Sequence, residues 1–339
     1  MMQLRDKETQ FLIKITEGLY KKTGLNEVNI KDIDVDRFIK LALKNNILYY
    51  CSKEIIKDPS LDKGLRQRFE NIIKKADIEL CQISKSIDEI KAGIKGYVIF
   101  KTYRGENFPR IGNDVDVLVN SEELGPIKNY FLARGYKSEN DDPKEKSVGL
   151  LKKGQKKIHL QGGITWCWQE FLDEELIYGE PRKVVYNGQE ITIPNKEADL
   201  LIHIAHMNFE PLLMIYSEML YLFKLLPSVD LDLALKQAKK YRWKNTFLRT
   251  INIINNFHCL LYDDVCVNNI EFKKASFSEI KFPYGFSFKH LFLMCLEKRM
   301  FIYPLIKIFK IMNLLKTKDA YQYIDPPERY AVSGPGVGQ

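Results

Sequence analysis

The apolar residues of this 339-residue chain change their period twice, and that change constrains the fold more than any other feature. Over residues 6–95 they recur at three and four, the spacing of one buried helix face, as in Val35-Asp-Arg-Phe-Ile-Lys-Leu-Ala-Leu-Lys and Ile72-Ile-Lys-Lys-Ala-Asp-Ile-Glu-Leu. A further helix, Leu80 to Lys91, is predicted to end near Ala92-Gly93, where glycine tolerates a left-handed cap. From Tyr97 the pattern shortens to runs of β-type residues, and from Lys196 the helical spacing returns.

In the middle block, Tyr97-Val-Ile-Phe and Val115-Asp-Val-Leu-Val read as strands, separated by residues rich in Gly, Asn, Arg and Pro. Ser121 to Gly135 predicts a helix, capped by Ser121 and stopped by Gly135. Lys157-Ile-His-Leu predicts a third strand, and Lys183 to Pro194 a hairpin turning at Asn187-Gly188. Later helices are expected at Lys196–His206, Leu212–Leu226, Leu231–Tyr241 and Trp243–Phe257. Residues 267–288 are less regular, and a basic, apolar helix pair follows. The expectation is an α+β or mixed α/β chain in three parts: an N-terminal helical region (1–95), a small sheet core (96–195) and a C-terminal helical region (196–325). Residues 326–339, rich in Pro and Gly, form a flexible tail on this reading.

Apolar residues at 45% and charged residues at 28% suit a globular chain that buries a core. The net charge of +8 suits anionic partners such as nucleotide phosphates or nucleic acid, but the excess is modest for this length and simple solubility is the alternative reading. Six cysteines without a Cys-x-x-Cys pair, after a charged start, predict reduced thiols in a cytoplasmic protein. No run of about 18 apolar residues predicts a spanning helix. The nearest, His290 to Leu315, is broken by Glu297, Lys298, Arg299, Lys307 and Lys310. Phe288–Lys318 is basic and apolar together, which allows weak contact with an anionic membrane surface but also plain packing of a terminal helix pair.

The stretch with the most chemistry runs from Val98 to Val119. On a strand, Asp114 and Asp116 point to one side, and Val115, Val117 and Val119 to the other. Neighbouring carboxylates on an apolar strand repel each other and resist desolvation, and a divalent cation relieves both costs. Oxygen ligands favour Mg²⁺ or Mn²⁺. The dull alternative is the wet face of an edge strand. Lys101, Arg104 and Arg110, with Gly105 and Gly112, tilt the balance, because cations and bare backbone beside a metal pair suit a triphosphate.

Phe100-Lys-Thr, then Arg110, then Asp114-Val-Asp-Val-Leu-Val resembles the signature of an uncharacterised nucleotidyltransferase family within the superfamily of DNA polymerase beta and the minimal nucleotidyltransferases. That family shows a small-residue turn after a helix, an apolar strand closing in Lys-Gly, and an Arg four residues ahead of Asp-x-Asp. Ala92-Gly-Ile-Lys-Gly-Tyr-Val-Ile-Phe-Lys101 and the Arg110-to-Asp114 spacing are similar to it, as are Gly135-Tyr136, Ile158-His159 and Leu200–Leu226, so the resemblance covers residues 75–226. It implies a small nucleotidyltransferase sheet core in which Asp114 and Asp116 hold the metal. Lys101 and Arg110 would neutralise phosphate, and Thr102, Arg104 and Gly105 would line the phosphate turn. His159 and His206 would face the nucleotide. The implied reaction moves a nucleoside monophosphate from a nucleoside triphosphate, ATP by abundance alone, to an RNA, protein or small-molecule acceptor.

The chain departs from that pattern twice. Thr102 stands where the family has glycine, and Lys157 where the superfamily places a third carboxylate; a protonated lysine repels a cation. His159 and Gln161, on the same strand face, are the nearest substitutes. The departure leaves open a second reading, a catalytically impaired nucleotide- or RNA-binding module of the same fold. Three further signals have dull and sharp readings. His203 and His206, one turn apart, are zinc ligands or buried histidines; Trp166 and Trp168 stack on a base or fill a core; Lys152, Lys153, Lys156 and Lys157 grip nucleic acid or coat a hairpin.

Overall fold

A computed structural model of the chain describes residues 6–16, 29–105, 111–142, 146–166, 169–210, 212–267 and 282–299. Arg110, Trp168 and residues 300–339, which include the tail and most of the basic helix pair, lie outside the described residues.

The N-terminal helices are α1 (Lys7–Thr16), α2 (Val35–Lys44), α3 (Leu48–Ile55) and α4 (Lys63–Gly93). Periodicity suggested two helices where α4 runs unbroken for 31 residues. Asp62 starts it by accepting from the Gly64 and Leu65 amides (2.8 and 3.2 Å), and Phe69, Ile72, Ala76, Leu80, Ile83, Ile87 and Ile90 form one continuous buried stripe. A stripe that never breaks register gives the helix no reason to stop at residue 80.

The sheet region comprises β1 (Val98–Phe100), β2 (Asp114–Leu118), α5 (Leu124–Ala133), β3 (Lys137–Asp142), β4 (Ser147–Leu151) and β5 (Lys157–Gln161). Its strand order is β1-β2-β5-β4-β3, with β2 parallel to β5 and the other pairs antiparallel. Neither β3 nor β4 was foreseen. β3 reads Lys-Ser-Glu-Asn-Asp-Asp, without apolar alternation, and is a strand because β4 supplies its ladder. Ser121 does not cap α5: the helix begins at Leu124, and Asn120 accepts the Glu122 amide (3.0 Å) in the preceding turn instead. Gly135, at φ +83°, ends the helix as expected.

Two short strands, β6 (Thr165–Trp166) and β7 (Gln169–Glu170), and α6 (Glu174–Tyr178) lead to the hairpin β8 (Arg182–Tyr186) and β9 (Gln189–Ile193). Its turn is Asn187-Gly188, with φ of 47° and 78°, the paired positive angles that the two-residue turn demands. Then come α7 (Lys196–Phe209), β10 (Leu213–Met214), α8 (Tyr216–Leu225), α9 (Leu231–Lys240), α10 (Lys244–Tyr262), β11 (Tyr284–Gly285) and α11 (Phe288–Lys298). α8 starts later than its apolar run because Leu213 and Met214 pair with Gly285 and Tyr284.

Two hydrophobic cores run through the described residues. One lies between the second half of α4, α5 and the Val115–Val117 face of the sheet. The other joins α1–α3 to α7–α10 and to Val98, Phe100 and Leu118 on the opposite face. The N- and C-terminal helices thus share a core, and Tyr216 at the start of α8 bonds both Thr16 (3.0 Å) and Asn45 (2.9 Å). Among the described residues no helix is long and apolar enough to cross a membrane.

Candidate metal and phosphate site

β2 places Asp114 and Asp116 on the face that looks toward α7, in register with Lys157 and His159 of β5. Asp116, 2% exposed, stands between Phe100 on β1 and His159 on β5. A buried carboxylate needs partners, and among the described residues His159 Nδ1 at 3.1 Å, Gln161 Nε2 at 3.3 Å and the Lys101 ammonium at 3.4 Å approach its Oδ1. Asp114 is half-buried and, among the described residues, has no hydrogen-bond or ion-pair partner. One ligand atom from each of Asp114, Asp116 and His159 lies within 4.8 Å of the others, close enough to share one ion. The donor set of two carboxylates and an imidazole fits a single divalent cation, and the nitrogen favours Mn²⁺ over Mg²⁺.

The backbone aims Lys101 at this site. Lys101 has φ +57°, and the Thr102 amide bonds back to the Phe100 carbonyl at 2.7 Å, closing a γ-turn of the strained, positive-φ sense. That reversal at the end of β1 points the ammonium, 6% exposed, at Asp116 on one side and at Glu210 Oε2 (3.8 Å) on the other. Thr102 is buried, and its hydroxyl donates to the same Phe100 carbonyl (3.3 Å). Gly105, at φ +100°, occupies backbone space that other residues rarely enter.

Arg104 does not reach the carboxylate pair. It is buried, donating to Ser217 Oγ (2.7 Å) and Glu218 Oε1 (3.1 Å) on α8. Lys157 also turns away: it pairs with Glu139 Oε2 (3.1 Å) on β3, and its stem lies over Gly149, where a Cβ would come within 2.7 Å of the Lys157 Cε. The position beside Asp114 therefore carries no carboxylate, and His159 completes the candidate donor group instead. Of the basic cluster on the β4–β5 hairpin, Lys152 and Lys156 pair with Glu89 (2.9 Å) and Glu79 (2.8 Å) on α4, leaving little charge for a polyanion.

Behind the sheet face, α7 and α8 carry a chain of charges that sequence reasoning missed except for its histidines. His206 Nε2 lies 3.1 Å from Glu210 Oε2, and its Nδ1 lies 3.5 Å from Glu218 Oε1. His203 Nδ1 meets the same Glu218 oxygen at 3.3 Å, and its Nε2 lies 3.6 Å from Asp199 Oδ1. Asp199 in turn accepts from Arg182 (2.6 Å) and the Tyr221 hydroxyl. The two histidines thus converge on one carboxylate, and among the described residues the three-donor group is that of Asp114, Asp116 and His159. Burial would raise the Glu218 pKa, yet Arg104, followed by the two imidazoles, holds it well below the ordinary carboxylate range. Burial likewise opposes charge on His206, but Glu210 and then Glu218 outweigh it and raise its pKa. The missed residues had a signal: Glu218 is the one acidic residue in Tyr-Ser-Glu-Met-Leu-Tyr-Leu-Phe-Lys-Leu, a run too apolar to be a solvated face.

A scan of family models and searches of curated proteins and of solved structures returned no match to this chain.

Proposed function

We propose that this chain is a metal-dependent nucleotidyltransferase, moving a nucleoside monophosphate from a nucleoside triphosphate to an acceptor hydroxyl or phosphate with release of pyrophosphate. The observation that carries the reading is the placement of Asp114, Asp116 and His159 within one ion's reach, with the Lys101 ammonium 3.4 Å from Asp116. Two carboxylates and an imidazole would hold Mg²⁺ or Mn²⁺, which when bound supplies positive charge to the triphosphate oxygens and acidity to the attacking hydroxyl. The protein's own contribution is alignment and charge. β2 and β5 fix the three donors on neighbouring strands, and the γ-turn fixes Lys101 beside them, so that little reorganisation is needed as negative charge builds on the transferred phosphorus. Arg110, four residues ahead of Asp114, is the expected second phosphate cation.

A second reading, a nucleotide- or RNA-binding module that has lost turnover, is favoured by the pairing of Lys157 with Glu139 where a third carboxylate would stand. One experiment separates them: incubation with labelled triphosphates, Mg²⁺ or Mn²⁺ and a cell extract, followed by location of the label. Transfer that needs metal and is lost in Asp114→Asn supports the enzyme. Metal-independent nucleotide binding without transfer supports the module, and undiminished transfer by the double variant Asp114→Asn/Asp116→Asn refutes the site.

A further inference from the structure

Glu210 sits where the cationic side of this site opens to solvent. Its Oε2 lies 3.1 Å from His206 Nε2 and 3.8 Å from Lys101 Nζ, so that a single anionic oxygen bridges an imidazole and an ammonium. The two cationic partners are enclosed, Lys101 at 6% and His206 at 12% side-chain exposure, whereas Glu210 is 49% exposed. The floor is held from behind. With Glu218 facing its Nδ1 and Glu210 facing its Nε2, the His206 ring presents both nitrogens to carboxylates, which suits the imidazolium, a donor on both sides. Glu218 is itself anchored by Arg104 and His203.

We infer that Lys101 and His206 form a phosphate subsite whose position is filled, in the free protein, by the displaceable carboxylate of Glu210. An arriving phosphate oxygen takes the place of Oε2 between the ammonium and the imidazolium, displacing the half-exposed Glu210 carboxylate. The ligand class is an inorganic or esterified polyphosphate, and under the nucleotidyltransferase reading, on which that identity rests, the occupant is the triphosphate tail. Glu210 also has a function when the subsite is empty: Asp116 and Glu218 each face one of the two enclosed cations from behind, and the half-exposed Glu210 carboxylate adds counter-charge on the open side without blocking the ligand permanently. Glu218 is a positioning residue, acting through His206 and touching no ligand.

The test is calorimetric binding of inorganic pyrophosphate to the full chain in EDTA, so that no metal takes part. Removing a competing half-exposed carboxylate should tighten binding about fivefold in Glu210→Gln. His206→Gln should weaken it by about the same factor. Asp232→Asn, at an exposed position on α9, changes net charge equally and should leave binding as in the wild type. Binding by Glu210→Gln no tighter than the wild type's, with an unchanged melting curve, overturns the inference, as does equal tightening by Asp232→Asn. Metal-dependent label transfer with no effect of Glu210→Gln would leave the enzyme reading standing alone. Pyrophosphate binding that responds to Glu210→Gln in a protein without transfer activity would leave the subsite standing alone.

Discussion

Asp114 and Asp116 look equivalent in sequence, but their surroundings predict opposite responses to the same substitution. Asp116 is the counter-charge of Lys101, and both are enclosed, at 2% and 6% exposure. In Asp116→Asn the ammonium keeps Glu210 at 3.8 Å, and the amide oxygen still accepts from Gln161 or His159. The cost therefore falls below the ~3–5 kcal/mol of a fully broken buried pair, at about 2 kcal/mol. Asp114 is half-buried and has no described partner, so Asp114→Asn removes only its repulsion from Asp116, a gain of roughly 0.5 kcal/mol or less. At ~2–4 °C per kcal/mol, thermal melts in EDTA should place Asp116→Asn about 5 °C below the wild type and Asp114→Asn level with it or up to ~2 °C above. Addition of Mn²⁺ to ~100 times its Kd should stabilise the wild type by about 2.7 kcal/mol, a rise of roughly 5–10 °C, and both variants should lose most of it. The reasoning is refuted if Asp116→Asn melts at or above the wild type without metal, or if either variant keeps the full metal-induced rise.

Two further outcomes are expected away from the donor trio. Glu218→Gln strips the buried Arg104 guanidinium of its carboxylate and should cost about 3 kcal/mol; a double-mutant cycle with Arg104→Gln in urea should show strong coupling, and additivity would count against the charge network. Because the Glu218 pKa is depressed below its ordinary 4.5, its ionised form stabilises the fold fully above pH 4.5, and that contribution drains away as acid carries the pH down through the depressed value. Urea titrations from neutral pH downward should show this loss in the wild type and a shallower slope in Glu218→Gln. Gly149→Ala would put a Cβ 2.7 Å from the Lys157 Cε and 2.8 Å from the Glu139 carbonyl oxygen. The lysine can swing aside, the strand carbonyl cannot, and a loss of ~1–3 kcal/mol by denaturant unfolding is expected; an unchanged midpoint would show that the strand yields.

How much was legible depended on whether a residue's role is local. The alternation in Asp114-Val-Asp-Val-Leu-Val places both carboxylates on one face without further information, and Val115 and Val117 do enter the core while Asp116 faces the other side. Asn187-Gly188 needs positive φ twice and makes its turn. His159 and Gln161 share a strand face with Lys157 by simple alternation, and both meet Asp116 because β5 runs parallel to β2 in register. By contrast, Arg104 stands three residues from Lys101 but faces α8 instead of the metal pair, since the chain reverses at Lys101 and side-chain direction there follows backbone torsion rather than spacing. Lys157 is beside Asp114 in register yet reaches over Gly149 to Glu139, a partner on a strand whose sequence did not announce itself.

From sequence alone, then, come the succession of helical and strand blocks, the shared face of Asp114 and Asp116, and the hairpin turn, because each follows from periodicity or backbone preference within a few residues. Only the tertiary structure joins the N- and C-terminal helices in one core and sets Glu210, His206, Glu218 and Arg104 behind Lys101. The Lys101–Glu210, Arg104–Glu218 and Thr16–Tyr216 contacts link residues more than a hundred positions apart. Their formation is governed by which buried charge finds a counter-charge as the helices close on the sheet, and no local pattern encodes that choice.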